Sequence, residues 1–506
     1  MPAAFQSMKD QAVADSPRRS FRVMSGWLAL AAAAPIGLAA VLLALRINPT
    51  LAALGSCFAA VIISLLWFPV SGPQAAAVAG SLGPSFAEVL LIVLGGIALA
   101  EVLGRSGAQE KISGWILSVC PAQGRAVILL VLGVTPFAES VTGFGLGIIV
   151  AIPILRRVGF SATRSAVIGL LGLVLVPWGS LAPGLLISAR LGDVEFSSLG
   201  LHTALLTLPV LLVMVLAALY VGLGRKGVTG HLAEAVVVSL AMWLVLLAVN
   251  AFLSPPLAGV VASLTAVILV LLRSRLQAPL EFPWPVRRAL LPYAVLILGL
   301  LLTSVVTTIF GLAGPWDALR SPAFWLLVTA ALAPMLVGAD RSIYAGLLPT
   351  VLRMWRPIGL STAAFLLLGA ILTGSGMSAY AATYVAGMGA GYLFLLPFIG
   401  AASGFITGSN TGASAMLSTS ASASAHALGI DPVVTLAAQN VSASALAMAA
   451  PPKIIFAAGL ANRGLPGRSA MTTKLQRAAI FRTVLGAHAV LLPLLGGLTL
   501  LLAVFG

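Results

Sequence analysis

The stretch Thr135-Pro136-Phe137-Ala138-Glu139-Ser140-Val141-Thr142-Gly143-Phe144-Gly145-Leu146-Gly147 lies inside long apolar sequence, yet it carries a carboxylate, several hydroxyls, a proline and alternating glycines. A packed transmembrane helix has no need of that combination. Gly and Pro free backbone groups that hydrocarbon cannot satisfy, so the segment has to lie inside protein or beside water. A carboxylate at such a depth is expensive and by default marks an ion or substrate path.

A counterpart follows in the second half, Gly404-Phe405-Ile406-Thr407-Gly408-Ser409-Asn410-Thr411-Gly412-Ala413-Ser414. Each stretch leads to a similar punctuation, Gly159-Phe160-Ser161-Ala162 and Gly429-Ile430-Asp431-Pro432, with 20 positions from Glu139 to Gly159 and 19 from Asn410 to Gly429. Gly-interrupted segments at matching places of two halves point to a transporter site at a repeat interface. The expected fold is an all-α polytopic membrane protein of two inverted repeats with broken or re-entrant helices.

Composition agrees. The chain is 60% hydrophobic and only 8% charged over 506 residues, and its mean hydropathy of +1.10 belongs to a polytopic helical membrane protein. At about 20 residues per span, with loops deducted, roughly 12 to 14 membrane helices are expected. The apolar runs are continuous rather than alternating, which excludes a β-barrel. The net charge of +15 comes from pairs in short inter-helix loops, such as Arg156/Arg157, Arg225/Lys226 and Arg287/Arg288. That is a cytoplasmic loop bias facing anionic lipid, not a nucleic-acid surface. Cys57 and Cys120 form no disulfide framework, the four histidines are never paired at ligand spacing, and neither a metal site nor a cofactor is expected. Arg18, Arg19 and Arg22 precede an apolar run that continues into further spans, unlike a secretory signal.

In order, the chain reads as a polar tail (1–22), a first membrane half (23–272), a Pro/Arg-rich connecting loop (273–288) and a second half (289–506). Ser71 to Ser81 is too short to cross alone. Residues 111–120 read as a short interfacial helix, and 378–400 as one span. Glu101 and Arg105 are spaced to pair at a helix end, whereas Glu88 lies deeper in its span. Pro177-Trp178-Gly179-Ser180 with Pro183 is a second disruption, placed to line the same cavity as the first. The small residues of Ser418 to Ser424 suit close helix packing.

With these residues in view, the chain resembles the lactate permease family of bacterial carboxylate transporters. The match runs through Phe137, Glu139, Gly143, Phe144 and Gly145, then Gly159-Phe160, then Thr407-Gly408-Ser409 with Thr411, and Asn440 in the following helix; Arg105-Ser106-Gly107-Ala108 looks like the family's basic turn. The resemblance implies proton-coupled uptake of small 2-hydroxy monocarboxylates, such as lactate or glycolate, across the inner membrane. Three departures stand out. Asn410 stands where the family has an aspartate. Val176-Pro177-Trp178-Gly179 replaces an Asn-Thr-Ala-Pro element, and Met448 replaces a lysine, with Lys453 five positions on. Ser409-Asn410-Thr411 also looks like the clamps of sodium-coupled carboxylate carriers.

The chemistry of an anion site fits these positions. A carboxylate leaving water needs donors, and backbone N–H groups at broken-helix N-termini supply them with a favourable dipole. Gly143, Gly145, Gly408 and Gly412 permit the close approach. Thr142, Ser409, Asn410 and Thr411 add side-chain donors, and Thr407 belongs to the same matched element. Lys453 is either the counter-charge or a lysine snorkelling from a helix end. Glu139 is either the proton carrier or a cap on a broken helix. Asn440 closes a substrate network or bridges helices. A membrane-embedded enzyme would need a nucleophile–base pair or a metal cluster, and an ATP-driven pump a P-loop; neither pattern is present. A sodium-coupled carrier and a passive anion channel remain as alternatives to proton symport.

Overall fold

The computed structural model describes residues 26–119, 122–143, 145, 147–275, 282–311, 316–463 and 470–505. The tail 1–22 with its arginines, Cys120, Phe144, and residues 276–281 of the connecting loop lie outside the described residues. Every described element is helical, and eleven of the described helices are long and apolar enough to cross a membrane. One of them, Phe196–Phe252, bends at Gly224 (φ 70°, ψ −162°) and counts as two crossings. Unbent it would measure about 85 Å at 1.5 Å per residue, far more than a bilayer's hydrocarbon core.

Boundaries differ from the sequence reading in places: of the connecting loop expected over 273–288, the structure makes helix through Arg275 and again from Trp284, which puts Arg287 and Arg288 on a helix. Ser71 to Ser81 is not a separate piece: Ser71 caps the helix Gly72–Arg105, and the chain runs on through Pro84. The span expected over 378–400 is instead Met377–Ala386 followed by Ala390–Thr407, parted at Gly389 (φ 51°). Glu101 and Arg105 pair at 2.7 Å as their spacing suggests.

Two segments repeat one another in form. The first is Gln123–Thr142, a break, Gly147–Arg157, Ala162–Leu171, the 3₁₀ turn Val176–Trp178, and Pro183–Gly192. The second is Ala390–Thr407, a break, Asn410–Leu428, Pro432–Leu446, the 3₁₀ turn Ala447–Ala449, and Pro451–Ala461. The paired punctuations do one job in both: Gly159 and Gly429 leave a helix with φ 106° and 70°. Ser161 and Asp431 then cap the next helix.

The broken pairs are re-entrant and inverted. Gln123 Nε2 donates to the Val158 carbonyl at 3.2 Å, so the outer ends of the first hairpin lie together. Nearby, Arg164 donates to the Gly222 carbonyl at 3.4 Å. In the second hairpin, Ser422 donates to the Gly192 carbonyl at 2.9 Å. Gly192 leads into Phe196, the far end of the helical limb that reaches Gly222. That limb is about 40 Å long at 1.5 Å per residue, so the hairpins enter from opposite ends of the bundle.

Each repeat completes the other. Pro183–Gly192 packs on Asn410–Leu428, and Pro451–Ala461 packs on Gly147–Arg157 and Ala162–Leu171. Between membrane helices, where lipid is as apolar as the partner, small residues and hydrogen bonds supply the fit. Ser188 and Ser418 meet at 2.9 Å on that seam, as the serine run from 418 to 424 suggested.

Candidate functional site

Where the breaks converge, a cavity of about 370 Å³ is lined by Glu139, Val176, Gly179, Ser180 and Pro183 from the first repeat. The second repeat contributes Thr407 to Gly412, Ala450, Pro452 and Lys453. The helix Leu347–Gly374 adds Ser361, Thr362 and Phe365, and Asn48 and Pro49 close the wall.

The second-repeat side carries open donors. Gly408 turns the chain at φ 66°, Ser409 caps the helix by accepting from Gly412 N–H, and the helix Asn410–Leu428 begins at the cavity. Among the described residues, no acceptor in the protein takes the Asn410 or Thr411 amide. First-turn amides of this kind are the orphan donors of a helix and favour an anion. Thr407 Oγ1 is turned inward, donating to the Ser403 carbonyl. Asn410 Nδ2 donates to Asn440 Oδ1 at 3.1 Å, while Asn410 Oδ1 is buried and accepts nothing. Asn440 in turn donates to Ser414 Oγ at 3.1 Å. Asn440 is fully buried behind the wall, where it bridges helices and orients Asn410.

The first-repeat side is arranged differently from the sequence reading. The Gly145 amide, expected to meet substrate, donates to Glu139 Oε1 at 2.9 Å, and the Gly147 amide approaches Oε2 at 3.5 Å. The Gly143 amide donates to the Glu139 carbonyl at 2.8 Å, and Thr142 Oγ1 to the Ala138 carbonyl at 2.6 Å. An internal carboxylate thus occupies the helix N-terminus, so Thr142, Gly143 and Gly145 lie behind the wall. The glycines are needed nonetheless. A side chain at Gly143 (φ 70°) would meet Ser180 Cβ at 2.5 Å, and one at Gly145 (φ 77°) would meet Lys453 Cε at 3.3 Å. Lys453 therefore lies alongside the first hairpin's tip. Its charge attracts that of Glu139 without a contact ion pair.

Glu139 also holds the second disruption. Its carbonyl accepts from Ser180 N–H at 2.9 Å, and the Ser140 carbonyl accepts from Leu181 N–H at 2.9 Å. The turn so held contains three consecutive non-glycine residues in left-handed backbone: Ser180 (φ 45°), Leu181 (φ 63°) and Ala182 (φ 76°). Each costs on the order of 1–3 kcal/mol, and such strain concentrates at functional sites. Ser180 Oγ is buried with no partner.

Of the residues singled out in the sequence, the cavity gathers Glu139, Thr407, Gly408, Ser409, Asn410, Thr411, Gly412 and Lys453. Ser361, Thr362 and Phe365 went unnoticed. They follow Arg353, Arg356 and Pro357 in the unbroken helix Leu347–Gly374, within a run of apolar and small residues where nothing local distinguishes them from packing residues.

The sequence profile of the L-lactate permease family matches residues 28–282 and 302–495. An L-lactate permease of Streptococcus iniae is 23% identical over 414 residues, covering 74% of this chain and 87% of its own. The solved YdaH transporter of Alcanivorax borkumensis, described as having an unusual topology, aligns with a TM-score of 0.47 at 15% identity. That alignment covers 88% of this chain and 98% of the other.

Proposed function

The chain belongs to the L-lactate permease family, and on that premise we propose that it is a secondary transporter moving small 2-hydroxy monocarboxylates, such as lactate or glycolate, by proton symport. The reading is of a permease and not an enzyme, set in the inner membrane with the end bearing Arg156, Arg157, Arg225 and Lys226 in the cytoplasm.

One observation carries it: the unoccupied amides of Asn410 and Thr411 open onto a cavity shared with Lys453 and Glu139. The substrate carboxylate takes the helix N-terminus and Lys453, which replace the donors it leaves in water. Its 2-hydroxyl donates to Asn410 Oδ1, the buried acceptor that lacks a partner. An anion held by Lys453 draws that counter-charge away from Glu139. Two carboxylates facing one ammonium are neutralised by one proton, and Glu139 is where it rides. Protonation weakens the hold of the Glu139 carboxylate on the Gly145 and Gly147 amides, so the hairpin tip beside the 180–182 turn loosens as the proton binds.

Asn410 Oδ1 also favours a second reading, since a bare carbonyl oxygen beside Ser409 and Thr411 suits sodium as well as a hydroxyl. The test is uptake of a radiolabelled panel of short carboxylates by proteoliposomes under imposed proton or sodium gradients. Accumulation of lactate or glycolate with the proton gradient supports the reading. Accumulation of neither with any gradient overturns it, and equilibration without accumulation favours a passive channel.

A further inference from the structure

Beyond the 180–182 turn lies a second cavity, of about 290 Å³, lined by Leu181, Leu186, Arg190, Arg320, Ser321 and Glu88 among others. It follows Pro183–Gly192 from the turn to Arg190 and the adjoining Phe196, at the end of the bundle opposite the basic loops. Adjacent residues of one strained turn thus face two spaces: Ser180 the central cavity, Leu181 the second.

Arg190 and Arg320 come from segments far apart in sequence, yet share this wall. Among the described residues neither guanidinium has an ion-pair partner. Among the described residues the one carboxylate in the lining, Glu88, already accepts from Ser321 Oγ at 2.8 Å. Two guanidinium groups against one carboxylate make the described lining net positive. Charged clefts with low-dielectric walls concentrate ions of opposite sign, and guanidinium is the side chain best shaped for a carboxylate.

We propose that this cavity is an anion-binding vestibule in which Arg190 and Arg320 capture the carboxylate before it passes the Ser180–Ala182 turn into the central cavity. The identity of the anion rests on the transport reading above; the site itself does not. Leu181 stands between the two spaces, on a turn whose left-handed backbone is strained.

The test reads the field of the vestibule without relying on transport. In a Cys57→Ala/Cys120→Ala background, Ser254→Cys places a thiol in the lining, and its modification by anionic and cationic methanethiosulfonate reagents of similar size is timed in proteoliposomes. Leu186→Cys is a second reporter should the first fold poorly. With each rate normalised to that of the same reagent with a free thiol, the anionic reagent is expected to be favoured roughly tenfold, the lower range of electrostatic focusing, with L-lactate slowing it. Arg190→Gln/Arg320→Gln should bring the ratio near one, and the Lys/Lys pair should restore it. Equal normalised rates in the starting protein, or a preference that survives the double glutamine variant, would overturn the vestibule. Lactate uptake is measured in the same vesicles. Its absence with the charge preference intact would count against the substrate and leave the anion site standing.

Discussion

Glu139 and Gly145 are joined at 2.9 Å, carboxylate oxygen to backbone amide, within a single broken hairpin. The residue proposed as the proton carrier is therefore also the cap of a re-entrant helix. Under the proposed symport, a proton on this carboxylate weakens its hold on the hairpin tip, and Lys453, beside Gly145, contributes to the field it sits in.

Asn410→Ala should raise the apparent KM for lactate by roughly tenfold, since losing a partner for a buried polar group costs about 1–3 kcal/mol. Wild type should prefer lactate over propionate, which lacks the 2-hydroxyl, and the alanine variant should lose that preference. Competition uptake measures both. A variant that still discriminates would remove Asn410 from hydroxyl recognition.

Lys453→Met should lose saturable uptake while remaining folded, and Lys453→Arg should retain part of it. Methionine keeps the apolar stem that packs against Gly145 but not the charge. Thermal melting in detergent separates folding from binding. Wild-type uptake by the methionine variant would return Lys453 to a snorkelling helix-end residue.

Gly143→Ala and Gly408→Ala should differ, although both residues have positive φ. An added methyl at Gly143 collides with Ser180, whereas at Gly408 it makes ordinary contact with Ala450 Cβ at 3.5 Å. Left-handed backbone alone costs about 1–2 kcal/mol per residue, so Gly408→Ala should lower the melting temperature modestly. Gly143→Ala should lower it more, and should impair transport through the displaced turn. Equal melting temperatures would contradict the contact between the hairpin and the turn.

Much of this was legible in the sequence, because polar and Gly-interrupted segments are conspicuous against apolar helices. Glu139, Ser409 and Asn410 stood out for that reason, as did the paired punctuations at Gly159 and Gly429. The direction of the Gly145 amide did not, because spacing cannot tell an amide that awaits a substrate from one already taken by a carboxylate six residues away. Asn440 read as either network or bridge, and only its partners Asn410 and Ser414 place it behind the wall. Thr362 and Phe365 were hidden altogether, since a helix that lends one face to a cavity looks like any other span.

Proton coupling through Glu139 is tested most directly by gradient-driven uptake into proteoliposomes of wild type and Glu139→Gln, with proton and sodium gradients imposed separately. Wild type should accumulate lactate with the proton gradient and ignore sodium. The glutamine variant keeps a neutral side chain at the hairpin tip, so it should exchange lactate across the membrane yet accumulate none under either gradient. Sodium-driven accumulation that survives the substitution would contradict the assignment and make the protein a sodium-coupled carrier.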